Sequence, residues 1–391
     1  MDQKVKIYFL ISMVTLFASI KASPHLTIMG ENPNWEELDA FQYTVTKDDF
    51  VYALNNIYAP RETSVSCITV GDDRVKILKE AGSEEFFEIY FSGSNEGGKV
   101  SRERSLSDVH ISIDPGHIGG NFSEMEQRHF SLNGSSPMRE GEMVLKVALA
   151  LERKLIALGA DVSLLRWKNE PVTELRPVDF LKRAAVWQFR KRGKSGIDLG
   201  FSKEKQLAEI TRLSQKLFYQ VSEIRARAKL VNDVLKPDLV LALHMNAAPW
   251  PNSSKPSLVK GNHAHILVNG AYGENELAYD DIRFEMLLKL LSGAWRNEVL
   301  VSEAISNTLK DQTGLPPFIY RGNYAVGINN NPYVWGRNLL ANRLYRCPVV
   351  YLEPYVANSE AVFNQIQRDE TAFIEEYSQF VIDGLLSASI F

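Results

Sequence analysis

Val109-His110-Ile111-Ser112-Ile113-Asp114-Pro115-Gly116-His117 is the stretch that decides how this chain folds. Val109, Ile111 and Ile113 make a short apolar strand, which the Pro-Gly pair ends in a turn. A helical pattern follows. Val144, Val147, Ala148, Leu151, Leu155 and Leu158 share one face of a helix that starts near Glu140, and Gly159 is a good stop for it. Asp161–Leu165 then reads as the next strand. Apolar strands alternating with helices predict an α/β fold, a mostly parallel twisted sheet with helices on both faces.

The same pattern continues to the C-terminus. Leu239–Leu243, Ala264–Val268 and Pro348–Leu352 read as strands, and helical patterns fill about 275–312 and 359–386. The segment Gly314–Tyr333, rich in Gly, Pro and Asn, reads as a long loop. Residues 167–236 read as mostly helical with a loop at 193–200, so a helical insertion at about 167–224 interrupts a domain spanning 108–391. Arg190, Lys191, Arg192 and Lys194 form a basic cluster there. It reads as a solvated helix end, with contact to an anionic polymer as the alternative.

Residues 30–98 form a composition unit of their own. Thr46–Asp49 is a helix start, with Phe50, Val51, Leu54 and Ile57 at helical spacing. Three β-like runs follow at Ser66–Val70, Arg74–Leu78 and Phe86–Phe91, then the linker-like stretch 92–98. The expectation is a small α+β N-terminal domain. Residues 1–22 read as a secretory signal peptide: Lys4 and Lys6 precede an apolar run from Ile7 to Ile20 that is short for a membrane span. This predicts export, to the periplasm or the cell exterior, with no stable membrane span after cleavage.

The formal charge of −4 over 391 residues argues against nucleic acid as a partner. The only two cysteines, Cys67 and Cys347, lack zinc-motif spacing and read as free thiols.

In open parallel sheets ligands bind beyond the carboxyl ends of the strands. His117, His244 and Glu353 each follow or end such a strand, and Glu140 opens a helix that runs back from the same edge. Two imidazoles and a carboxylate are a common ligand set for catalytic zinc. A further carboxylate completes a hydrolytic site by moving the water proton to a leaving amine. Glu353 suits that role, since burial at the end of an apolar strand raises a carboxyl pKa toward the working range. Singly, each residue has a plainer reading. His244 can be an ordinary strand-end histidine, Glu353 can pair with Arg321 or Arg337, and Glu140 can be an acid favoured by a helix N-terminus.

Taken together, these segments resemble the zinc-dependent N-acetylmuramoyl-L-alanine amidases, whose domain opens on Ile-Asp-Pro-Gly-His. Glu140, Leu145 and Ala148 match the family's Glu, Leu and Ala spacing. Arg227, Asn232 and Ala242–Ala247 match its later Arg, Asn and Ser-Ile-His-Ala-Asn-Ala run, and Pro348–Glu353 its Pro-x-x-Leu-Val-Glu strand. The resemblance covers roughly 108–166 and 225–385. It implies one zinc per chain held by His117, Glu140 and His244, with Glu353 as acid/base. It also implies peptidoglycan as the partner, cut between the muramic acid lactyl group and L-alanine. By the same resemblance Asn246 is a candidate substrate contact, and Asp114, Arg227 and Asn232 are candidate supports of the site; His263 and His265, beside the site on a candidate strand, either contact substrate or, on the plainer reading, are ordinary surface or core histidines. The chain departs from the family at Ile118, at Pro354-Tyr355, in the longer run from His117 to Glu140 and in the helical insertion. The rival readings are a zinc peptidase or other amide hydrolase on a similar sheet, and a non-catalytic wall-binding or activator protein.

Overall fold

The structure, a computed structural model, describes residues 25–62, 65–93, 105–132, 134–192, 203–250 and 255–388. The expected signal peptide at 1–22, the loop at 193–200, residues 94–98 of the linker and the side chains of the basic cluster at 190–194 lie outside these.

Chain order begins with helix α1 (Lys47–Ala53), whose N-cap Thr46 hydroxyl accepts the Asp49 N–H at 3.1 Å. Strands β1 (Ile68–Val70), β2 (Arg74–Leu78) and β3 (Phe86–Tyr90) form an antiparallel sheet of three. β4 (His110–Pro115) enters the main body. Short helix α2 (Ser123–Glu126) and the small ladder of β5 (His129–Phe130) and β6 (Met138–Arg139) lead into α3 (Glu140–Ala157). Then come β7 (Asp161–Leu164), α4 (Leu181–Arg192), α5 (Lys203–Lys216) and α6 (Glu223–Lys229), with π-helical turns at Leu217–Ser222 and Leu230–Leu235. β8 (Leu239–Leu243), β9 (His265–Val268), α7 (Asp280–Leu291), α8 (Ala294–Thr313), β10 (Val326–Ile328) and β11 (Asn331–Gly336) follow. α9 (Leu340–Leu344), β12 (Val349–Glu353), α10 (Glu360–Arg368) and α11 (Glu370–Ser387) close the chain.

The central sheet has seven strands in the order β10-β11-β9-β12-β8-β4-β7, with helices packed around it. β12, β8, β4 and β7 run parallel to one another. β9 pairs antiparallel with β12, so its beginning, at His265, meets the end of β12 at Glu353. The sheet is therefore mixed, with its parallel half carrying the expected motif strands. One face buries Ile111, Ile113, Leu241, Leu243, Val350 and Leu352 under Val144, Val147 and Leu151 of α3 and Phe373, Tyr377 and Phe380 of α11. The other face buries Val240, Ala242 and Val349 against Ala228, Val231 and Tyr345. This two-sided burial is why these strands read as unbroken apolar runs.

Three expectations need correction. The segment Gly314–Tyr333 is not a loop throughout: it contains β10 and the start of β11, joined by Asn329 and Asn330 at φ 50° and 60°. Asparagine is among the residues that accept the positive φ a two-residue hairpin turn requires. Residues 167–176 lack helix, so the helical insertion begins at Pro177. Leu158 is 46% exposed and lies past the last turn of α3, where Gly159 at φ 95° turns the chain away.

The N-terminal unit shares its core with the main body. Leu38, Phe50, Ile57, Val75, Ile77 and Ile89 form one apolar cluster with Val268, Met286, Leu287, Val299 and Val334. Cys67 and Cys347 are free thiols. Among the described residues no helix is long and apolar enough to cross a membrane.

Candidate metal centre

His117, Glu140 and His244 converge, each offering one ligand atom, and those atoms all lie within 4.8 Å of one another. Glu140 Oε1 stands 3.3 Å from His117 Nε2 and 3.3 Å from His244 Nδ1. Tetrahedral ligand atoms at zinc bond lengths lie about 3.4 Å apart, so these spacings suit a small divalent cation. Close backbone approach makes the site possible. A methyl group at Gly116 would occupy the space of the His244 ring, and one at Gly141 would sit 2.6 Å from the Gly119 nitrogen. Glu140 also accepts the Met245 N–H at 3.0 Å and pairs with Arg128 at 3.4 Å.

The electrostatics follow from this crowding. Burial works against a charged His117, but the Glu140 carboxylate, with Glu126, outweighs it and holds the ring at about 9. Burial also opposes ionised Glu140, yet the two histidines hold its carboxyl well below the usual range. His244 moves down, because burial and the His117 charge outweigh the attraction of Glu140. Deprotonated imidazole and ionised carboxylate are the forms a metal needs, and a bound cation would displace the proton from His117.

Glu353 ends β12 beside His244, whose N–H donates to Leu352 O at 2.9 Å. The pairing with Arg321 or Arg337 weighed for Glu353 is replaced by one with His265, whose Nε2 lies 3.1 Å from Glu353 Oε2. This reverses the expected pKa direction. Burial pushes the Glu353 carboxyl up, as the apolar strand suggested, but the His265 hydrogen bond and charge hold it below the ordinary value. His265 is buried and its Nε2 also contacts the Tyr320 hydroxyl at 2.9 Å. Its place in the fold is beside Glu353. His263 packs its ring on Phe318 at 4.6 Å, and Asn246 folds its side-chain oxygen onto the Ala247 N–H at 2.8 Å.

Arg227 is the centre of the support beneath the metal group. Its guanidinium donates to Asp114 Oδ1 at 2.6 Å, Pro115 O at 2.8 Å and His117 O at 2.7 Å, and it pairs with Glu223 at 2.8 Å. The Tyr345 hydroxyl donates to the other Asp114 oxygen at 2.6 Å. Asn232 serves elsewhere, exchanging hydrogen bonds with Leu344 O and the Arg346 N–H, each at 2.9 Å.

Several residues here escape a reading of motifs. Buried Glu126 accepts the Ile118 N–H at 3.0 Å and faces His117 Nδ1 at 3.5 Å. Arg166 donates to Pro115 O, Gly116 O and Gly141 O, tying the end of β4 to the start of α3. Tyr351 stacks on the His244 ring with centroids 4.2 Å apart, and the Tyr377 hydroxyl donates to His244 O at 2.9 Å. Tyr351 carried a signal: two residues before Glu353 on one strand, it must share that face. Glu126 carried none, since its segment has no clear periodicity.

Comparison with solved structures finds cell-wall amidases among the similar chains. The N-acetylmuramyl-L-alanine amidase Ami1 from Mycobacterium smegmatis aligns with a TM-score of 0.41 and 15% identity, over 73% of this chain and 99% of that one. The CwlD amidase from Clostridioides difficile, in complex with the GerS lipoprotein, aligns at 0.40 and 14% identity, over 72% of this chain and 98% of that one. The catalytic domain of CwlV, an N-acetylmuramoyl-L-alanine amidase from Bacillus (Paenibacillus) polymyxa, aligns at 0.37 and 16% identity, over 71% and 96%. No protein-family model and no curated protein matches the chain. At such identities the case for function rests on the chain's own residues.

Proposed function

We propose that this chain is an exported zinc-dependent N-acetylmuramoyl-L-alanine amidase that acts on peptidoglycan. The observation that carries the reading is the His117, Glu140, His244 group with a separate carboxylate, Glu353, on the neighbouring strand end. Zinc, when bound, supplies a Lewis acid that polarises the scissile carbonyl and acidifies water. His117, Glu140 and His244 would hold it, while Arg227 and Arg166 fix the backbone on which His117 and Glu140 stand. Glu353, 17% exposed at its side chain, is open enough to meet substrate. It takes the proton of the attacking water and passes it to the departing amine of L-alanine. His265 holds that carboxylate ionised and ready to accept.

The test is digestion of purified peptidoglycan by the mature protein, with and without chelator, followed by identification of the new end groups. Stem peptides released with an L-alanine amino terminus, in a chelator-sensitive reaction, are the expected result. Cuts elsewhere in the polymer overturn the amidase reading, and cleavage of free peptides favours the zinc peptidase. Glu353→Gln keeps its zinc and loses turnover by about 100-fold or more, a typical effect of losing general acid/base catalysis. An active variant removes Glu353 from the acid/base role.

A further inference from the structure

The metal reading leaves the ring of His117 with a second nitrogen to account for. Nε2 faces Glu140, and Nδ1 faces Glu126 Oε1 at 3.5 Å. Glu126 is 4% exposed and ends α2, within the longer run between His117 and Glu140 that sets this chain apart from its resembling family. Its carboxylate also accepts from the Ile118 N–H at 3.0 and 3.1 Å and from the Gly119 N–H at 3.3 Å. These amides follow a residue in a sparsely populated state, because His117 has φ 55°, a left-handed conformation found in only a few per cent of residues other than glycine.

We infer that Glu126 is the positioning residue of the metal centre, fixing both the backbone and the tautomer of His117. An ionised carboxylate is an acceptor only. Facing Nδ1, it requires the proton there and leaves the Nε2 lone pair directed at Glu140 and the cation. The same carboxylate gathers the two amides after His117, while Arg227 binds the His117 carbonyl at 2.7 Å from the other side. One acidic group and one basic group thus clamp a strained residue, and the acidic one sets the ring. Partners of this kind are what orient metal-bound imidazoles and raise their basicity.

The proposal rests on the metal reading of the His117 group and is tested apart from catalysis. Zinc affinity is measured by competition with a chromophoric chelator for the whole mature chain and for Glu126→Gln. Glutamine keeps an oxygen for the Ile118 and Gly119 amides, but turns an NH2 toward Nδ1 and selects the wrong tautomer. The expected result is zinc binding weaker by about 10- to 100-fold, with a cooperative thermal transition retained in the metal-free protein. Affinity within about twofold of the parent overturns the proposal and leaves Glu126 as a cap on the Ile118 and Gly119 amides alone. A parent chain that binds no zinc overturns the metal reading and this proposal with it. Should Glu126→Gln fail to fold, nitrogen-15 spectra of the zinc-loaded parent decide. A protonated Nδ1 and metal-bound Nε2 on His117 support the assignment, and the reverse overturns it.

Discussion

Each ligand candidate in the metal group leans on a second residue. His117 leans on Glu126, His244 on the stacked ring of Tyr351, and Glu140 on the Met245 amide and Arg128. Charge balance at this spot has a consequence for the metal-free protein. The His117 pKa is raised from the ordinary 6.5 to about 9 in the folded state, so its protonated ring contributes stability. That contribution is complete below the unfolded value near 6.5 and is lost as pH rises through about 9. The urea midpoint of the chelated protein should therefore fall across that window. His117→Gln should flatten the slope, and zinc should abolish it, because the bound ring has already given up its proton. A chelated parent with a flat profile from neutral to alkaline pH refutes the assigned pairing. At this scale the sequence was partly legible. Strand ends pointed to His117, His244 and Glu353, and the family-like spacing to Leu145 and Ala148 pointed to Glu140. Glu126 was hidden, and His265 was read as a candidate substrate contact and not as the partner of Glu353, because each acts on a partner that only the folded chain brings near.

Among elements, the helical insertion packs against the segment beside the site through Ile118, with Phe122 and Met125 around it. Ile118, fully buried, packs with Phe180, Leu181, Ala184, Leu217 and Phe218 in a core of its own, one residue from His117. The helices of the insertion supply the cover that a bulky residue at this position needs. Ile118→Ala should cost about 2–5 kcal/mol in urea unfolding, the usual range for emptying a buried site of this size. Val178→Ala, at a position 48% exposed on the same insertion, should stay within about 0.5 kcal/mol. Equal effects at the two positions would show that Ile118 is not the anchor. The strands of the parallel half were readable because burial on both faces leaves an apolar run of strand length. The β10 and β11 hairpin was not, because Gly, Pro and Asn dominate its flanks and its turn signal, Asn329-Asn330, lies inside that loop-like composition.

For the molecule as a whole, the N-terminal unit has a boundary in composition and none in packing. Phe50, Ile57, Val75 and Ile77 complete a cluster with Val268, Leu287 and Val334. Tyr272 and Ala271 also donate backbone hydrogen bonds to Tyr58 O and Ile57 O, at 2.6 and 2.8 Å. A chain cut to residues 105–391 should expose that apolar surface and aggregate on expression. Size-exclusion chromatography and circular dichroism check this, and a monodisperse, cooperatively melting fragment would contradict it. Composition finds a unit here because small domains and add-on layers use the same strands and turns. Only contacts distinguish them.

Strand β9 carries a last consequence. It runs against β12, so the residue facing Glu353 is chosen by where β9 begins. Side chains alternate along a strand, so a one-residue slip moves every one of them to the opposite face. One residue added between Gly261 and His265 would set Ala264 across from Glu353, one removed would set Ile266 there, and either change turns the imidazole away. The length of that connection acts as a setting on Glu353: a deletion or insertion there would exchange a hydrogen-bonded carboxylate for a bare one.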